Sequence, residues 1–543
     1  MNSLPPESTN YAIEAVRIPV GDQVHLAADV YHPLGTEPPK GTILIRTPYG
    51  ISPLHALGHA RLFAARGYQV LANSCRGTFG SEGDMNPGRT EADDGQAVLA
   101  WMREQPWYTG SFAMVGTSYF GYTQWSLLSN EPPADFQAAV ITTGPHDLSR
   151  FVWGTGALRS DIVAWADITV RMQRDSFFSV IRAAGSIEAR LYPVFQSFPL
   201  MPAISNHFGE SLPPWLEPNI TQPDLNDRYW EPTQHGNALK KANMPILLTA
   251  GWYDLMLAQV LEQYTTLSQR GCNVAMTIGP WTHLEAGGGL VLPETYQWLE
   301  EHVAGEKGGG GRKSPVRIFV TGVGKWVDLP SWPPKSSAHE LFLSAGSELS
   351  TKPPSKEEPD FTFTFDPKDP TPFVGAAELF DRVSNPRRPD TPLSSRRDVL
   401  TFTSPPLDED VEVCGKPLVT LHHSSDHINV DVLVMLSEVD DKGVSHTVSE
   451  VYRRFGNPCG TQKDADSDLL TLSLQDCAHV FRKNCRVRVM IAGGSHPRYI
   501  RNSGTGENSV TATRTKPVVH TIRHGVDAPS KIVLPITNTV IGA

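Results

Sequence analysis

Short runs of consecutive apolar residues alternate with helix-like segments over the first half of the chain. Six of these runs are TILIR (42–46), YQVLAN (68–73), FAMVG (112–116), AAVITTG (138–144), PILLTAG (245–251) and VAMTIG (274–279). Continuous apolar runs of this length are typical of strands buried on both faces, and parallel strands need helical crossovers between them. Segments with apolar positions three and four residues apart supply such crossovers at 55–66, 91–104 and 119–130. The alternation predicts a doubly wound α/β sheet.

This alternation stops between about residues 150 and 243. Helix-like segments at 157–171 and 176–192 are followed there by an irregular stretch that is rich in proline between residues 199 and 223. An insertion between two parallel strands leaves the sheet at the carboxyl ends of the strands, where α/β sheets bind their ligands. We therefore predict a helical cap over residues 150–243. The α/β domain then consists of residues 1–149 and 244–310.

The pattern changes again after the glycine run at 308–311. From Val316 onward, short strand-like runs separated by turn residues replace the helical periodicity. These runs are VRIFVTG (316–322), HELFLS (339–344), FTFTF (361–365), DVLTFTS (398–404), PLVTLHHS (417–424), VDVLVMLSEV (430–439), RVRVMIAGG (486–494) and KIVLPI (531–536). Many short strands at this spacing predict a β-sandwich or jelly roll. The third predicted domain is a β jelly roll over residues 315–543, with the glycine run as its linker.

The charge balance narrows the range of partners. With 47 Lys and Arg against 58 Asp and Glu, the formal net charge is −11, which disfavours a surface that binds nucleic acid phosphates. No apolar stretch approaches the roughly 20 residues that span a bilayer, and the first residues lack the basic and apolar regions of a secretory signal. We expect a cytoplasmic protein that binds neither nucleic acid nor membrane.

The cysteines and acidic residues give no sign of a metal site. The chain has six cysteines, and no two of them form a C-x-x-C pair, so we expect reduced thiols rather than a disulfide framework or a zinc site. The acidic run that begins at Asp464 resembles the start of a calcium loop, but Leu469 replaces the glycine that such a loop requires. We predict neither a metal nor an organic cofactor.

A serine lies between glycines where the third predicted strand turns into a helix. The segment Gly116-Thr117-Ser118-Tyr119-Phe120-Gly121 follows the apolar run FAMV. A nucleophile elbow places a serine in a strained strand-to-helix turn of this kind, and small residues on either side allow it. The usual pattern has glycine two residues after the serine, where this chain has Phe120. The pattern leaves two interpretations open, a catalytic Ser118 or a glycine-lined turn that packs against the sheet.

An activated serine needs a base and an acid that orients the base, and in α/β-hydrolases these follow in the order Ser, acid, His. Asp254 comes three residues after Gly251, which ends one predicted strand, and His283 comes four residues after Gly279, which ends the next. Both residues are therefore predicted to lie in loops at the carboxyl edge of the predicted sheet. Their order and placement select them as partners of Ser118.

Several motifs together resemble the cocaine esterase-like (CocE/NonD) serine hydrolases, a family that includes X-Pro dipeptidyl-peptidases and α-amino-acid ester hydrolases. In the first half these motifs are RTPYG (46–50), CRGTFGSEG (75–83), GTSYFGYTQW (116–125), GWYD (251–254) and GPWTH (279–283). In the second half they are KWVDLPSWPP (325–334), DVLTFTSPPL (398–407) and HPRYIRNSGTGE (496–507). The resemblance covers nearly the whole chain and is weakest in the predicted cap.

The resemblance implies a role for each motif residue. It makes Ser118, Asp254 and His283 the catalytic triad. It makes the Tyr119 backbone N–H and the Tyr49 phenol the two donors of the oxyanion hole. Tyr49 follows the strand-like run TILIR closely, so it would reach the same sheet edge.

The substrate pocket is less well marked in the sequence. By resemblance, apolar and aromatic residues of the cap line the acyl site, and Trp153, Trp165 and Met256 occupy suitable places. The alternative is that aromatic residues in an insertion form its own core. No carboxylate cluster that would bind the amino terminus of a substrate stands out.

We therefore expect a serine hydrolase that cleaves an ester or amide acyl bond through a covalent acyl-enzyme. The substrate is expected to be a small ester, amide or peptide. Two alternatives use the same acyl-serine, an X-Pro dipeptidyl-peptidase and an acyltransferase that passes the acyl group to an alcohol or amine. A third is a catalytically silent binding protein. The sequence leaves open whether the chain forms a homo-oligomer.

Overall fold

The computed structural model describes residues 4–51, 59–174, 187–287, 290–305, 312–374, 388–456 and 468–538. The chain divides into two compact units. The first unit comprises Met1–Phe151, Ala166–Ala184 and Asn226–Arg317, and the second comprises Val152–Trp165, Gly185–Leu225 and Ile318–Ala543. Residues 176–186 of the second helix predicted for the insertion lie outside the described residues, as does the glycine run at 308–311.

The first unit contains an α/β sheet. Its strands are β1 (Tyr11–Pro19), β2 (His25–Pro33), β3 (Thr42–Thr47), β4 (Gln69–Ser74), β5 (Phe112–Thr117), β6 (Phe136–Thr142), β7 (Ile246–Tyr253) and β8 (Val274–Thr282). They lie in the order β1-β2-β4-β3-β5-β6-β7-β8, with β1, β2 and β4 antiparallel neighbours and the strands from β4 to β8 parallel. The six apolar runs correspond to the six parallel strands, and every residue of β3 and β4 is buried.

Helices connect these strands and fill the insertion. In chain order the described α-helices are α1 (His59–Ala64), α2 (Glu91–Arg103), α3 (Tyr119–Leu128), α4 (Leu148–Trp153), α5 (Asp161–Arg174), α6 (Ile187–Gln196), α7 (Leu200–Phe208), α8 (Leu216–Thr221), α9 (Gly236–Lys241), α10 (Leu257–Gln269), α11 (His283–Gly287) and α12 (Leu292–His302). The expected crossovers at 91–104 and 119–130 are α2 and α3, which begin at the expected residues. The connection between the parallel neighbours β6 and β7 runs from Thr142 to Ile246.

The prediction of an irregular stretch between residues 199 and 223 is wrong, because α7 and α8 lie there. Pro199 directly precedes α7, and Pro202 lies in its first turn. Pro218 lies in the first turn of α8. The first turn of a helix tolerates proline because its N–H groups have no partner within the helix. These prolines therefore mark helix starts.

The second unit is rich in strands. The strands from Val316 onward are β9 (Val316–Val320), β10 (Lys325–Leu329), β11 (Ser337–Ser344), β12 (Glu348–Ser350), β13 (Phe361–Phe365), β14 (Val399–Thr403), β15 (Val411–Gly415), β16 (Leu418–Ser425), β17 (Val430–Val439), β18 (Ser445–Phe455), β19 (Leu469–Ser473), β20 (Cys477–Phe481), β21 (Arg486–Ala492), β22 (Val518–Arg523) and β23 (Lys531–Ile536). β9 and β10 continue the sheet of β1 to β8 beyond β8, so the predicted strand at 316–322 is not part of the later strand network. The strands from β11 onward form one network with the path β13-β22-β16-β23-β11-β12-β14-β21-β17-β18. Its pairs are antiparallel except for β12 with β14.

Apolar side chains from these strands form one core. β16 alternates buried and half-buried positions, which is typical of a strand with one face on the core. The first eight residues of β17 are all buried. The core includes Leu343, Phe402, Leu436 and Val489. A strand-rich second domain is confirmed, and the jelly-roll topology stays a prediction.

None of the described helices combines the length and the apolar character needed to cross a membrane. Five of the six cysteines lie among the described residues, and all five are free thiols. Within the described part of the chain, no group of three or more His, Cys, Asp or Glu side chains is arranged to hold a metal ion.

Candidate active site

Ser118 forms a sharp turn between β5, which ends at Thr117, and α3, which begins at Tyr119. Its φ of 57° and ψ of −119° lie in a region that residues with a side chain rarely adopt. The Ser118 N–H donates to the Thr142 carbonyl at 2.8 Å, and the Ser118 carbonyl accepts from the Tyr122 N–H at 3.0 Å. The turn is therefore fixed by the neighbouring strand on one side and by its own helix on the other.

Glycines around Ser118 allow the close packing that this turn requires. A Cβ at Gly116 would lie 2.4 Å from the Phe120 Cβ, and a Cβ at Gly121 would lie 2.7 Å from the Gly144 Cα. Both distances are far below a normal carbon contact. The usual elbow has a glycine where this chain has Phe120. Here the glycine comes one residue later, at Gly121, and its missing side chain leaves room for Gly144.

Ser118, His283 and Asp254 form a continuous chain of hydrogen bonds. The Ser118 Oγ lies 2.9 Å from His283 Nε2, and His283 Nδ1 lies 2.8 Å from Asp254 Oδ1. Asp254 follows the end of β7 and His283 follows the end of β8, so neighbouring parallel strands deliver both side chains to one sheet edge. Asp254 is fully buried and His283 is buried. The Met256 N–H donates to the same Asp254 oxygen at 2.9 Å and helps to orient the carboxylate.

His283 begins the short helix α11, whereas the sequence predicted that it lies in a loop. Glu285 accepts from the Thr282 N–H at 2.8 Å and from the Thr282 hydroxyl at 3.1 Å. The sequence alone indicates no catalytic role for Glu285. The spacing Thr-x-x-Glu at the end of a strand was the signal, because it is the pattern of a capping box. This cap fixes the helix turn that carries the imidazole.

The two residues expected to stabilise an oxyanion are both neighbours of Phe120, Tyr49 by ring packing and Tyr119 in the chain. The Tyr49 ring packs on the Phe120 ring with centroids 5.4 Å apart, and the Tyr49 N–H donates to the Thr47 hydroxyl at 3.0 Å. Tyr49 therefore lies beyond the end of β3, beside the helix that starts after Ser118. Tyr119 is the first residue of α3.

The three predicted pocket residues do not share one environment. Trp153 and Trp165 belong to the second unit, where the Trp153 indole N–H donates to the Asn219 carbonyl at 2.8 Å and the Trp165 ring lies 5.4 Å from the Trp215 ring. Met256 belongs to the first unit and is buried beside Asp254. The tryptophan contacts fit the alternative of a local core. The pocket role of all three residues stays a prediction.

Comparison with known proteins connects this geometry to a family. A profile of the X-Pro dipeptidyl-peptidase (S15) family matches residues 22–285, and a profile of the X-Pro dipeptidyl-peptidase C-terminal non-catalytic domain matches residues 309–533. Cocaine esterase from Rhodococcus sp. (strain MB1 Bresler) is 28% identical, with 97% of this chain and 99% of the esterase aligned. The chain belongs to the CocE/NonD family of serine hydrolases.

Solved structures of similar proteins share the fold. An α-amino acid ester hydrolase superimposes with a TM-score of 0.80 at 21% identity, over 99% of this chain and 98% of the hydrolase. A CocE/NonD family hydrolase from Staphylococcus aureus superimposes with a TM-score of 0.69 at 16% identity, over 97% and 94% of the two chains. This member of the CocE/NonD family therefore has the α/β-hydrolase fold with a strand-rich C-terminal domain. The matches to cocaine esterase and to the S15 profile show that it is a serine hydrolase.

Proposed function

We propose that Ser118 is the nucleophile that attacks the acyl carbonyl of the substrate, with His283 as its base and Asp254 as the acid that orients the base. The hydrogen-bond chain of 2.9 Å and 2.8 Å that ends on a serine in a strained turn carries this proposal. As the Ser118 oxygen bonds to the carbonyl carbon, its proton passes to His283 Nε2. The leaving alcohol or amine takes that proton when its bond to the acyl carbon breaks, and an acyl-enzyme remains. Water then repeats the sequence and releases the acid.

The negative oxygen of the tetrahedral intermediate needs hydrogen-bond donors. We propose the Tyr119 N–H and the Tyr49 hydroxyl for this role. Tyr119 directly follows Ser118 and begins α3, so its N–H lies beside the nucleophile, which supports the first donor. The packing of Tyr49 on Phe120 supports the second.

The insertion between β6 and β7 is the predicted cap of the substrate pocket. The connection from Thr142 to Ile246 leaves the sheet at the carboxyl end of β6, the edge where α/β sheets bind ligands, which supports a cap role for residues 150–243. We propose that Met256, which lies beside Asp254, contributes to the acyl pocket, and that the second-unit strands form a jelly roll. The pocket roles of Trp153 and Trp165 stay predictions from the sequence.

Ester hydrolysis is the reaction that we propose first, because the aligned relative is a cocaine esterase over nearly the full length of both chains. Release of X-Pro dipeptides is the second candidate, and the matches to both X-Pro dipeptidyl-peptidase profiles favour it. Both reactions form the same acyl-serine. They differ in the leaving group and in the residues before the cleaved bond.

Labelling and turnover test the proposal in two steps. A fluorophosphonate should react with the Ser118 oxygen, with loss of fluoride, and Ser118→Ala should abolish the label. Turnover of an aryl ester is then compared with turnover of an X-Pro anilide, and an added alcohol reveals acyl transfer as a new ester product. Faster anilide cleavage would favour the peptidase. A label on another residue, or no label on the folded protein, would contradict the assignment of Ser118.

A further inference from the structure

A buried ion pair lies directly behind the turn that carries Ser118. Arg46 Nη2 donates to Glu91 Oε2 at 2.8 Å, and Arg46 Nη1 donates to the Glu91 backbone carbonyl at 2.8 Å. The side chains of Arg46 and Glu91 are only 0% and 6% exposed. A buried ion pair is weak support for stability, since apolar side chains of similar volume are often as stable. Its presence here calls for another explanation.

The Tyr119 phenol completes this pair. It donates to Glu91 Oε1 at 3.0 Å, and it accepts the Gly88 N–H at 2.8 Å. Burial, followed by the charge of Glu91, raises the pKa of Tyr119 well above its usual value, so the phenol keeps its proton and remains a donor. We call these three residues, Arg46, Glu91 and Tyr119, the elbow group.

Both proposed oxyanion donors are linked to the elbow group through the chain. The Tyr119 N–H belongs to the residue whose phenol is held by Glu91. Tyr49 follows Arg46 by three residues, and Arg46 is fixed from two sides. The Thr123 hydroxyl of α3 donates to the Arg46 carbonyl at 3.3 Å, and a Cβ at Gly95 of α2 would lie 2.6 Å from Arg46 Nη1. A shift of the Arg46 guanidinium would therefore disturb β3, α2 and α3 together.

We propose that Glu91 and Arg46 form a positioning pair that acts through the Tyr119 phenol to hold the Tyr119 N–H and the Tyr49 segment where the oxyanion develops. The inference rests on the proposed function and adds residues to it. Glu91 and Arg46 do not touch the reacting atoms. They fix the direction of the donors, and a donor that is misplaced by about 1 Å can cost up to 10²-fold in rate.

Tyr119→Phe is the sharpest test, because it keeps the ring and removes only the hydroxyl. We expect kcat to fall by roughly 10- to 100-fold with KM changed less than about threefold, since the oxyanion exists only near the transition state. The rate of Ser118 labelling by a fluorophosphonate should fall with kcat, because the phosphonyl oxygen uses the same donors.

Tyr452→Phe in the second unit is the matched control. The Tyr452 phenol is buried and donates to Asp431, which pairs with Arg454. This variant loses the same kind of contact, but its kcat and labelling rate should stay within about twofold of the parent values. Equal losses of kcat in Tyr119→Phe and Tyr452→Phe would mean that the elbow group only stabilises the fold. That result would overturn the inference.

Glu91→Gln gives an independent test if Tyr119→Phe folds poorly. Glutamine keeps an oxygen for the Tyr119 phenol and loses the charge that faces Arg46, so kcat should fall while KM changes little. The double variant with Tyr119→Phe should lose less than the product of the two single losses, because both changes break one network. Normal kcat in Glu91→Gln, or independent losses, would overturn the role of Glu91. If the parent protein is not labelled at Ser118, the proposed function itself fails, which is a separate result.

Discussion

Both units bury a group made of one arginine, one carboxylate and one tyrosine. The elbow group of the first unit has its counterpart in Arg454, Asp431 and Tyr452 of the second, named the sheet group. Arg454 binds Asp431 through two donors, each at 2.7 Å, and the Tyr452 phenol donates to the same carboxylate. As in the elbow group, burial raises the pKa of the tyrosine well above its usual value. The chemistry of the two groups is nearly the same.

Their surroundings differ. The sheet group joins β17 and β18 to the segment after β21, because Arg454 also donates to the Ile500 carbonyl and the Ser509 hydroxyl. Tyr452 stacks on Tyr499 with ring centroids 4.0 Å apart. The elbow group instead includes the residue that follows Ser118 in its strained turn. Residue types alone therefore do not distinguish a stabilising group from one that we infer to position donors, whereas a direct link to the nucleophile turn does.

The largest expected contrast is between two serines. Ser118→Ala should lower kcat by about 10⁶-fold, because loss of the nucleophile removes most of what a triad contributes. Ser509→Ala removes one hydroxyl contact of Arg454 in the sheet group and should leave kcat unchanged. Steady-state turnover of an aryl ester, with thermal unfolding as the check on folding, measures both. More than a few per cent of parent activity in Ser118→Ala would rule out Ser118 as the nucleophile.

Removal of either arginine should destabilise the protein strongly. Arg46→Met and Arg454→Met each leave a buried carboxylate without its cation, and breaking a buried pair costs about 3–5 kcal/mol. Denaturant unfolding should show similar losses of free energy for the two variants. Turnover per folded molecule should fall only for Arg46→Met. A lowered kcat in Arg454→Met would show that the two groups are not separate in function.

Tyr49→Phe should lower kcat by about 10² to 10³-fold, equivalent to about 2.7–4 kcal/mol, as expected for loss of one oxyanion donor. KM should change little because the charge develops only in the transition state. Tyr499→Phe, which alters the tyrosine stacked on the sheet group, is the control and should keep its kcat. Near-normal kcat in Tyr49→Phe would assign Tyr49 to packing on Phe120.

Acid should destabilise both units through buried histidines. Burial, and to a lesser degree His146, lowers the pKa of His235 in the first unit to about 4, and burial with Arg501 lowers the pKa of His496 in the second unit to about 3. Unfolded histidine titrates near pH 6.5, so the unfolded state binds more protons below that pH and folding stability is lost as the pH falls.

For His235 that loss ends near pH 4, and for His496 near pH 3. Each histidine should account for on the order of 3 to 5 kcal/mol of the loss. Unfolding free energies measured from pH 7 downward should therefore depend less steeply on pH in His235→Gln and in His496→Gln. A slope equal to that of the parent in either variant would contradict the corresponding assignment.

The sequence predicted the parallel strands well because each is buried on both faces and appears as an unbroken apolar run. The antiparallel pair β1 and β2 escaped detection. Only some positions of HLAADVYHP in β2 are buried, so its apolar pattern is weaker. The proline-rich stretch was misinterpreted because proline was taken to interrupt helices, whereas Pro199 and Pro202 lie where α7 starts.

The sequence predicted that Ser118, Asp254 and His283 lie close together, because the carboxyl ends of parallel strands lie at one edge of the sheet. The sequence did not predict the contact between Arg46 and Glu91. These residues are 45 positions apart in the chain, and neither periodicity nor a motif links them. Contacts between a strand end and a distant helix depend on how α2 packs at Gly95, which only the three-dimensional structure shows.

The glycines around Ser118 also constrain how this protein could be changed by directed evolution. Gly116, Gly121 and Gly144 leave no volume for even one added methyl group, so these three positions around the nucleophile cannot take another residue without a shift of the backbone. Libraries that randomise these positions would consist largely of unfolded or inactive chains. New substrate preferences would have to come from other residues, and a library should vary those positions instead of these glycines.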